Sequence, residues 1–265
     1  MWLIMWPTER AAGSTLPLGR LLPLLARALP GLEGRVGPPA PDEFAIGSAS
    51  AAIGQLLLHL RQQHPEAGPH YWGCRSWSLL LWQPAYATVL AVELAAVLPD
   101  FSTMQQRLLP GMVAGFSLPE QMLQPAAIAS LRQQAARQLV EMADCLHAQL
   151  HAQQPLHPKL AGRLLADCVA AALLRVQQQR PTLANTTVTD WCGQWLDAMQ
   201  LPQASGLWPV ALEQGGERLA LERRACCQHF RRCDGTLCST CPKLKPAARI
   251  ALLRQEWAQQ DVELA

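Results

Sequence analysis

The stretch WSLLLWQPAYATVLAVELAAVL, Trp77 to Leu98, places the strongest constraint on the fold. It has the length of a bilayer span, which needs about 20 predominantly apolar residues. Gln83, Pro84 and Glu93 interrupt it, however, and a carboxylate facing lipid is costly. The segment therefore reads as a buried or interfacial helix. A helix that is apolar on all sides must be covered on all sides, so the flanking sequence has to supply other apolar faces. The 265-residue chain has the material to do so, being 50% hydrophobic and only 16% charged. That length suits one large domain or two small ones with a real core.

Those covering faces are visible as periodicity. Helical patterning starts near Gly47 and runs through AAIGQLLLHLRQQH. In 124–151, Ile128, Leu131, Ala135, Leu139, Met142, Leu146 and Leu150 step by three and four along one face. HPKLAGRLLADCVAAALLRVQQQ (157–179) predicts another helix, and Thr189 is a candidate cap for a shorter one carrying Trp191, Trp195 and Met199. A last helix fits Pro246 to Gln260. Two places change period. FSTMQQ and MVAGFSL, on either side of RLLPG, predict a β-hairpin near 101–118. Alternation about Gly215-Gly216 predicts a second, whose outgoing strand, Arg218 to Ala225, leads straight to a pair of cysteines.

The expected fold class is mainly α (α+β), with two short antiparallel hairpins and a C-terminal cysteine-rich loop. Three segments are expected: a Pro/Gly-rich stretch at 1–45, broken by GRVGPPAPDEF at 34–44; a helical region at 46–205; and a unit at 206–265 joined compactly to it. MWLIMWPTER lacks the basic start of a secretory signal, so the expected compartment is the cytoplasm. The chain's net charge of +2 gives no argument for nucleic acid.

The chemistry is concentrated in CCQHFRRCDGTLCSTCP, residues 226–242, which hold five of the nine cysteines. Thiols stay reduced in the cytoplasm, so such density reads as a metal or catalytic site. Cys238-x-x-Cys241 forms a tight turn able to aim both sulfurs at one metal, and Pro242 stiffens its exit. The other ligands must come from Cys226, Cys227 and Cys233. Adjacent residues of a strand point to opposite faces, so Cys226 and Cys227 can share a site only if the chain turns there. A two-iron cluster, larger than one ion, accommodates adjacent ligands better than zinc does. Cys233-x₄-Cys238-x₂-Cys241 also has the plant-type ferredoxin spacing. Both ligand sets, with or without Cys233, point to a [2Fe–2S] cluster, and spacing does not choose between them. His229 is a further nitrogen donor within the loop, although Rieske centres use two histidines.

RRACCQHFRRCDGTLCSTCP resembles the C-terminal signature of the siderophore-iron reductases, the FhuF-like ferric iron reductase family. Arg223, Arg224, Cys226, Cys227, Cys238, Cys241 and Pro242 match its Cys-Cys-x₁₀-Cys-x₂-Cys pattern and flanks, and Phe230 and Gly235 are typical of it. Cys233 departs from it. GCRSWSLLLWQPAYATVL is similar to a Trp-rich helix in the first half of family members. The resemblance implies a [2Fe–2S] cluster on Cys226, Cys227, Cys238 and Cys241. It also implies a helical fold with small sheets and an enzyme that reduces ferric siderophores in the cytoplasm. Some members are peripherally associated with the inner membrane on its cytoplasmic face.

From Arg223 to Arg249 there are seven Lys or Arg and one Asp, a local balance of +6. Arg223, Arg224, Arg231 and Arg232, with Lys243 and Lys245, are therefore candidates to dock an acidic electron donor such as a reduced ferredoxin, or to offset thiolate charge. No phosphate loop or dinucleotide fingerprint is present, so electrons are expected from a protein partner. Cys74, Cys145, Cys168 and Cys192 read as buried apolar residues, and Trp72, Trp77 and Trp82 as packing residues. His147 and His151, one helical turn apart, lack a spaced third ligand.

Overall fold

The computed structural model describes residues 15–263. The MWLIMWPTER stretch lies outside them. The fold is mainly α, as expected. Helix α1 is Leu18–Ala28, α2 Ser50–Gln63, α3 Gly68–Ala95, α4 Ile128–His151, α5 Pro158–Gln179, α6 Asn185–Ala198 and α7 Pro246–Glu263.

Helix α3 is the axis of the molecule. It contains the apolar stretch, and α1, α2, α4 and α5 all pack on it. It is long and apolar enough to cross a membrane by length and composition, yet 83% of its apolar window is buried inside the protein. Covering helices thus do the work that lipid would do. Glu93 and the Gln83 amide nitrogen find partners within the core, while the buried Gln83 Oε1 has none among the described residues. Glu93 is fully buried and takes Nε and Nη2 of Arg132 from α4 at 2.6 and 2.8 Å, and the indole N–H of Trp195 from α6 at 2.7 Å. The Gln83 amide donates to Gln106 at 3.1 Å. Trp72, Trp77 and Trp82 each donate an indole N–H to a different carbonyl, those of His64, Ala161 and Val113, so the three rings fasten α3 to its neighbours.

On α4, the stripe from Leu131 to Leu150 is buried as its period requires. His147 Nε2 lies 2.9 Å from the Leu156 carbonyl, and His151 Nδ1 lies 3.0 Å from the same oxygen. The two histidines hold the α4–α5 connection.

Several expectations need correction. The 34–44 break carries strand β2, Gly34–Val36, and leads into β3, Glu43–Ala45. With β4 (Gln105–Leu109) and β5 (Met112–Leu118) they form one sheet, in the order β2-β5-β4-β3 and with β2 parallel to β5. The first expected hairpin is thus the centre of a four-stranded sheet. Phe101–Thr103 is a 3-10 turn, its amide end capped by the Asp100 carboxylate. Tertiary pairing overrides the turn-forming composition of 34–44. Gly34 leaves room for the Phe116 ring, which a Cβ would meet at 2.5 Å, and Glu43 receives both Arg35 and the Ser117 hydroxyl. The Pro/Gly-rich first segment also holds α1, whose Leu18, Leu21, Leu22 and Leu25 are buried despite Pro23. A third small sheet pairs β1 (Leu16–Pro17) with β6 (Met122–Leu123).

Thr189 caps nothing. Helix α6 begins four residues earlier, at Asn185, whose side chain accepts from Gln177 of α5 at 2.8 Å. The second hairpin, β7 (Leu207–Ala211) with β8 (Glu217–Leu221), has the expected turn at Gly215-Gly216, both at positive φ. Its outgoing strand stops at Leu221, short of the expected Ala225, and the Glu222 amide makes one last bond in the same register, to the Gly206 carbonyl at 2.7 Å.

Candidate metal centre

The cysteine loop is laid across the start of α3 by two anchors on helix α5 and one ahead of α3. Where β8 ends, Arg223 points inward and donates Nε to Asp167 of α5 at 2.8 Å. Arg163 of α5 donates to the Arg224 carbonyl at 3.3 Å. Further on, a 3-10 turn at His229–Arg231 packs against the first turns of α3, where the His229 and Tyr71 rings lie 6.2 Å apart. The Cys233 amide donates to Glu66 at 3.0 Å.

The chain reverses immediately after the adjacent cysteines. Gln228 is left-handed, at φ 62, an unusual conformation for a residue with a Cβ. This is the turn that adjacent ligands need. It lets Cys226 and Cys227 look into one region. The Cys238-x-x-Cys241 turn closes through the Cys241 amide on the Cys238 carbonyl at 2.9 Å. Gly235 makes the loop's return possible, because a Cβ there would lie 2.2 Å from the His229 carbonyl oxygen.

Four thiols lie close enough to shift one another's proton affinity, Cys227 with Cys238 and Cys226 with both Cys241 and Cys227. The Cys227 thiol is drawn down to about 5, chiefly by Cys238, with help from the His229 backbone N–H and the Arg223 guanidinium. Cys238 moves the opposite way, chiefly through its interaction with Cys227 and through burial. Burial raises Cys226, and charge on Cys241 and Cys227 adds to it. Cys241 is the most buried of the four, at 2% exposure. Arg223 Nη1 and the Thr240 hydroxyl both reach Cys238 Sγ, at 3.9 and 3.8 Å.

Cys233 stands apart. It is exposed, and its amide ties it to the Glu66 carboxylate, whose pKa it lowers. His229 supplies its backbone to the site and its ring to Tyr71. Cys74 of α3, read from sequence as a buried apolar residue, is indeed fully buried. Burial, with charge on the nearby Cys227 and Cys226 adding to it, pushes its thiol up to about 12.

The expected docking arginines separate into different roles. Arg223 is a buried cation, its burial outweighed by Asp167 and the Cys227 thiolate, so it keeps its proton. Arg224 pairs with Glu222 at 3.3 Å, and Arg232 with Asp234. Arg231, Lys243 and Lys245 are exposed and form no ion pair among the described residues. Arg231 and Lys243 lie over the Phe230 ring, at 6.0 and 5.1 Å from its centroid.

Sequence reasoning missed Asp167, Ser205, Thr240 and Glu66. Asp167 left a signal, since it falls on the buried face of α5 between Leu164 and Ala170. An acid at such a position calls for a buried cation. Ser205 donates to its other oxygen at 2.7 Å.

Among the described residues, no group of three or more His, Cys, Asp or Glu side chains is arranged to hold a single metal ion. The donor set is the four neighbouring thiols of Cys226, Cys227, Cys238 and Cys241. Four thiolates suit a group with two metals. The cation and hydroxyl beside the sulfurs suit a centre of net negative charge. No family model matches the chain.

Proposed function

We propose that the protein is a cytoplasmic ferric siderophore reductase whose Cys226, Cys227, Cys238 and Cys241 hold a [2Fe–2S] cluster. The observation that supports this reading is that the turn at Gln228 and the Cys238-x-x-Cys241 turn bring those four thiols into one neighbourhood, where they shift one another's proton affinity. They are the cysteines of the motif by which the sequence resembles the siderophore-iron reductases. When bound, such a cluster supplies a carrier for one electron at a time.

One electron is sufficient for the task. Hydroxamate-type siderophores hold Fe³⁺ through hard oxygen donors, and the softer, larger Fe²⁺ binds such donors far more weakly. No bond in the organic ligand has to break. The chain's own residues supply the setting. Cys227 is already biased toward the thiolate that ligation needs. Arg223 and Thr240 offset negative charge at the sulfurs. Arg231, Lys243 and Lys245 offer an exposed basic face to an acidic one-electron donor such as a reduced ferredoxin.

The test is anaerobic purification of the full chain followed by visible and EPR spectra, iron and sulfide analysis, and turnover of a ferric hydroxamate with an Fe²⁺-specific chelator as the readout. A red-brown protein that bleaches with dithionite and releases Fe²⁺ from the siderophore is expected. A colourless protein that keeps stoichiometric zinc through cluster reconstitution refutes the reading. A coloured protein without turnover reduces it to an electron relay.

A further inference from the structure

Helices α3, α5 and α7 and strand β8 meet around a cavity of about 200 Å³ that no cysteine lines. Its walls carry Tyr86, Arg175, Gln178, Arg218, Trp257 and Gln260, with no Asp or Glu among the described residues. The hydrogen bonds there run in one direction. Gln178 accepts from Arg175 Nη1 at 2.8 Å, and Gln260 accepts from Arg218 Nη2 at 3.4 Å. A guanidinium has no acceptor, so both amides give their oxygens to the arginines and keep their N–H groups for another partner. Arg218 also lies over the Trp257 ring, 4.9 Å from its centroid, which holds it to the wall. Arg175 forms no ion pair among the described residues, and its bond to Gln178 uses one N–H of the several a guanidinium carries. The Tyr86 hydroxyl has no hydrogen-bond partner among the described residues. Burial, with charge on Cys168 adding to it, raises the Tyr86 pKa, so the group stays an O–H donor at neutral pH. The cavity thus has a surplus of donors and of positive charge.

We infer that this cavity binds a small oxyanion, a phosphate or a carboxylate, gripped by the Arg175 guanidinium with the Tyr86 hydroxyl as a second donor. The planar fork of a guanidinium matches the oxygens of either group. The volume limits the ligand, since drug-sized molecules occupy about 300–1,000 Å³. Helix α5 ends beside the cavity, and free carbonyls at a helix C-terminus repel anions. Two of those carbonyls are engaged, because the Arg180 amide bonds both Val176 and Gln177 at 3.0 Å. The inference does not depend on the cluster reading above.

The test is isothermal titration calorimetry of the intact purified protein with inorganic phosphate and, separately, with succinate, each against sodium chloride at matched ionic strength. Saturable uptake of one anion per chain is expected. Arg175→Gln should weaken it about tenfold or more, and Tyr86→Phe about threefold or more, as the loss of a hydrogen bond to a charged ligand requires. Arg137→Gln removes an exposed arginine of α4 that is not part of the cavity, and it should bind as the wild type does. Arg175 is itself exposed, so its replacement leaves the fold in place, and thermal unfolding of each variant checks this. Tighter binding of phosphate marks a phosphoryl ligand and tighter binding of succinate a carboxylate, and either supports the inference. Heat no larger than that of chloride overturns it. So does wild-type affinity in Arg175→Gln or Tyr86→Phe, or an equal loss in Arg137→Gln. A colourless protein that takes up the anion would defeat the cluster reading alone, so the two failures are distinguishable.

Discussion

Replacing Arg132 with Met tests the claim that a buried ion pair is what allows α3 to run through the core. Glu93 has no exposure and three donors: two from Arg132, at 2.6 and 2.8 Å, and the Trp195 indole at 2.7 Å. The substitution removes both guanidinium bonds and leaves a buried carboxylate with a single donor. It also frees the Gln194 oxygen that Arg132 engages at 2.5 Å and removes the cation stacked 4.7 Å from the Trp191 ring centroid. Stranding one member of a buried pair costs about 3–5 kcal/mol. For a domain of this size each kcal/mol is worth about 2–4 °C in Tm, so the fall should be roughly 6–20 °C. Total stability is typically about 5–15 kcal/mol, so the variant should still fold in the cold. The assay is thermal and urea unfolding by circular dichroism, at matched metal content, for Arg132→Met, Glu93→Leu and the double variant. Removing both partners should cost clearly less than the sum of the single losses. A single variant within about 1 kcal/mol of wild type, or a strictly additive double, would refute the reasoning.

Gly235→Ala should drive the His229 carbonyl away from a new Cβ set 2.2 Å from it, taking with it the backbone N–H that supports Cys227. Iron and sulfide content should drop by at least half while Tm moves little, and full occupancy would count against the turn's role. Cys233→Ser should keep the visible spectrum, because the residue is exposed and its amide is committed to Glu66. Loss of colour there, with Cys226 and Cys227 variants still coloured, would favour the ferredoxin-like ligand set. In a native alkylation time course at pH 8, Cys233 should label first. Cys74 and Cys192 should resist, since burial removes access and pushes both thiols up to about 12, so that they hold their protons at that pH. Early labelling of Cys74 would mean that the loop opens over α3.

Much of the scaffold was legible because it is local. The stripe on α4 and the Gly215-Gly216 turn follow from periods of 3.6 and 2, and both occur where the sequence places them. The misses share a cause. Residues 34–44 carry the composition of a loop, yet β2 gains its pairing from β5, some 80 residues away in sequence, and no local signal announces that. Helix α6 starts without a side-chain cap, so nothing in the sequence marks its first turn, and Thr189, the residue of capping type, lies inside the helix.

The site divides along the same line. The sequence alone identified the thiols, because cysteine spacing is a matter of short-range geometry. It also identified α3 as a segment that must be buried in something, lipid or protein. Only the tertiary structure decided that the covering is protein. It likewise brought Cys226, Cys227, Cys238 and Cys241 into one neighbourhood, sent the Cys233 amide to Glu66, and turned one of the four candidate docking arginines, Arg223, inward against Asp167. The physical reason is that each of these outcomes depends on what lies across the contact. A charge or a thiol takes its character from partners brought close by packing, and chain position does not encode that distance.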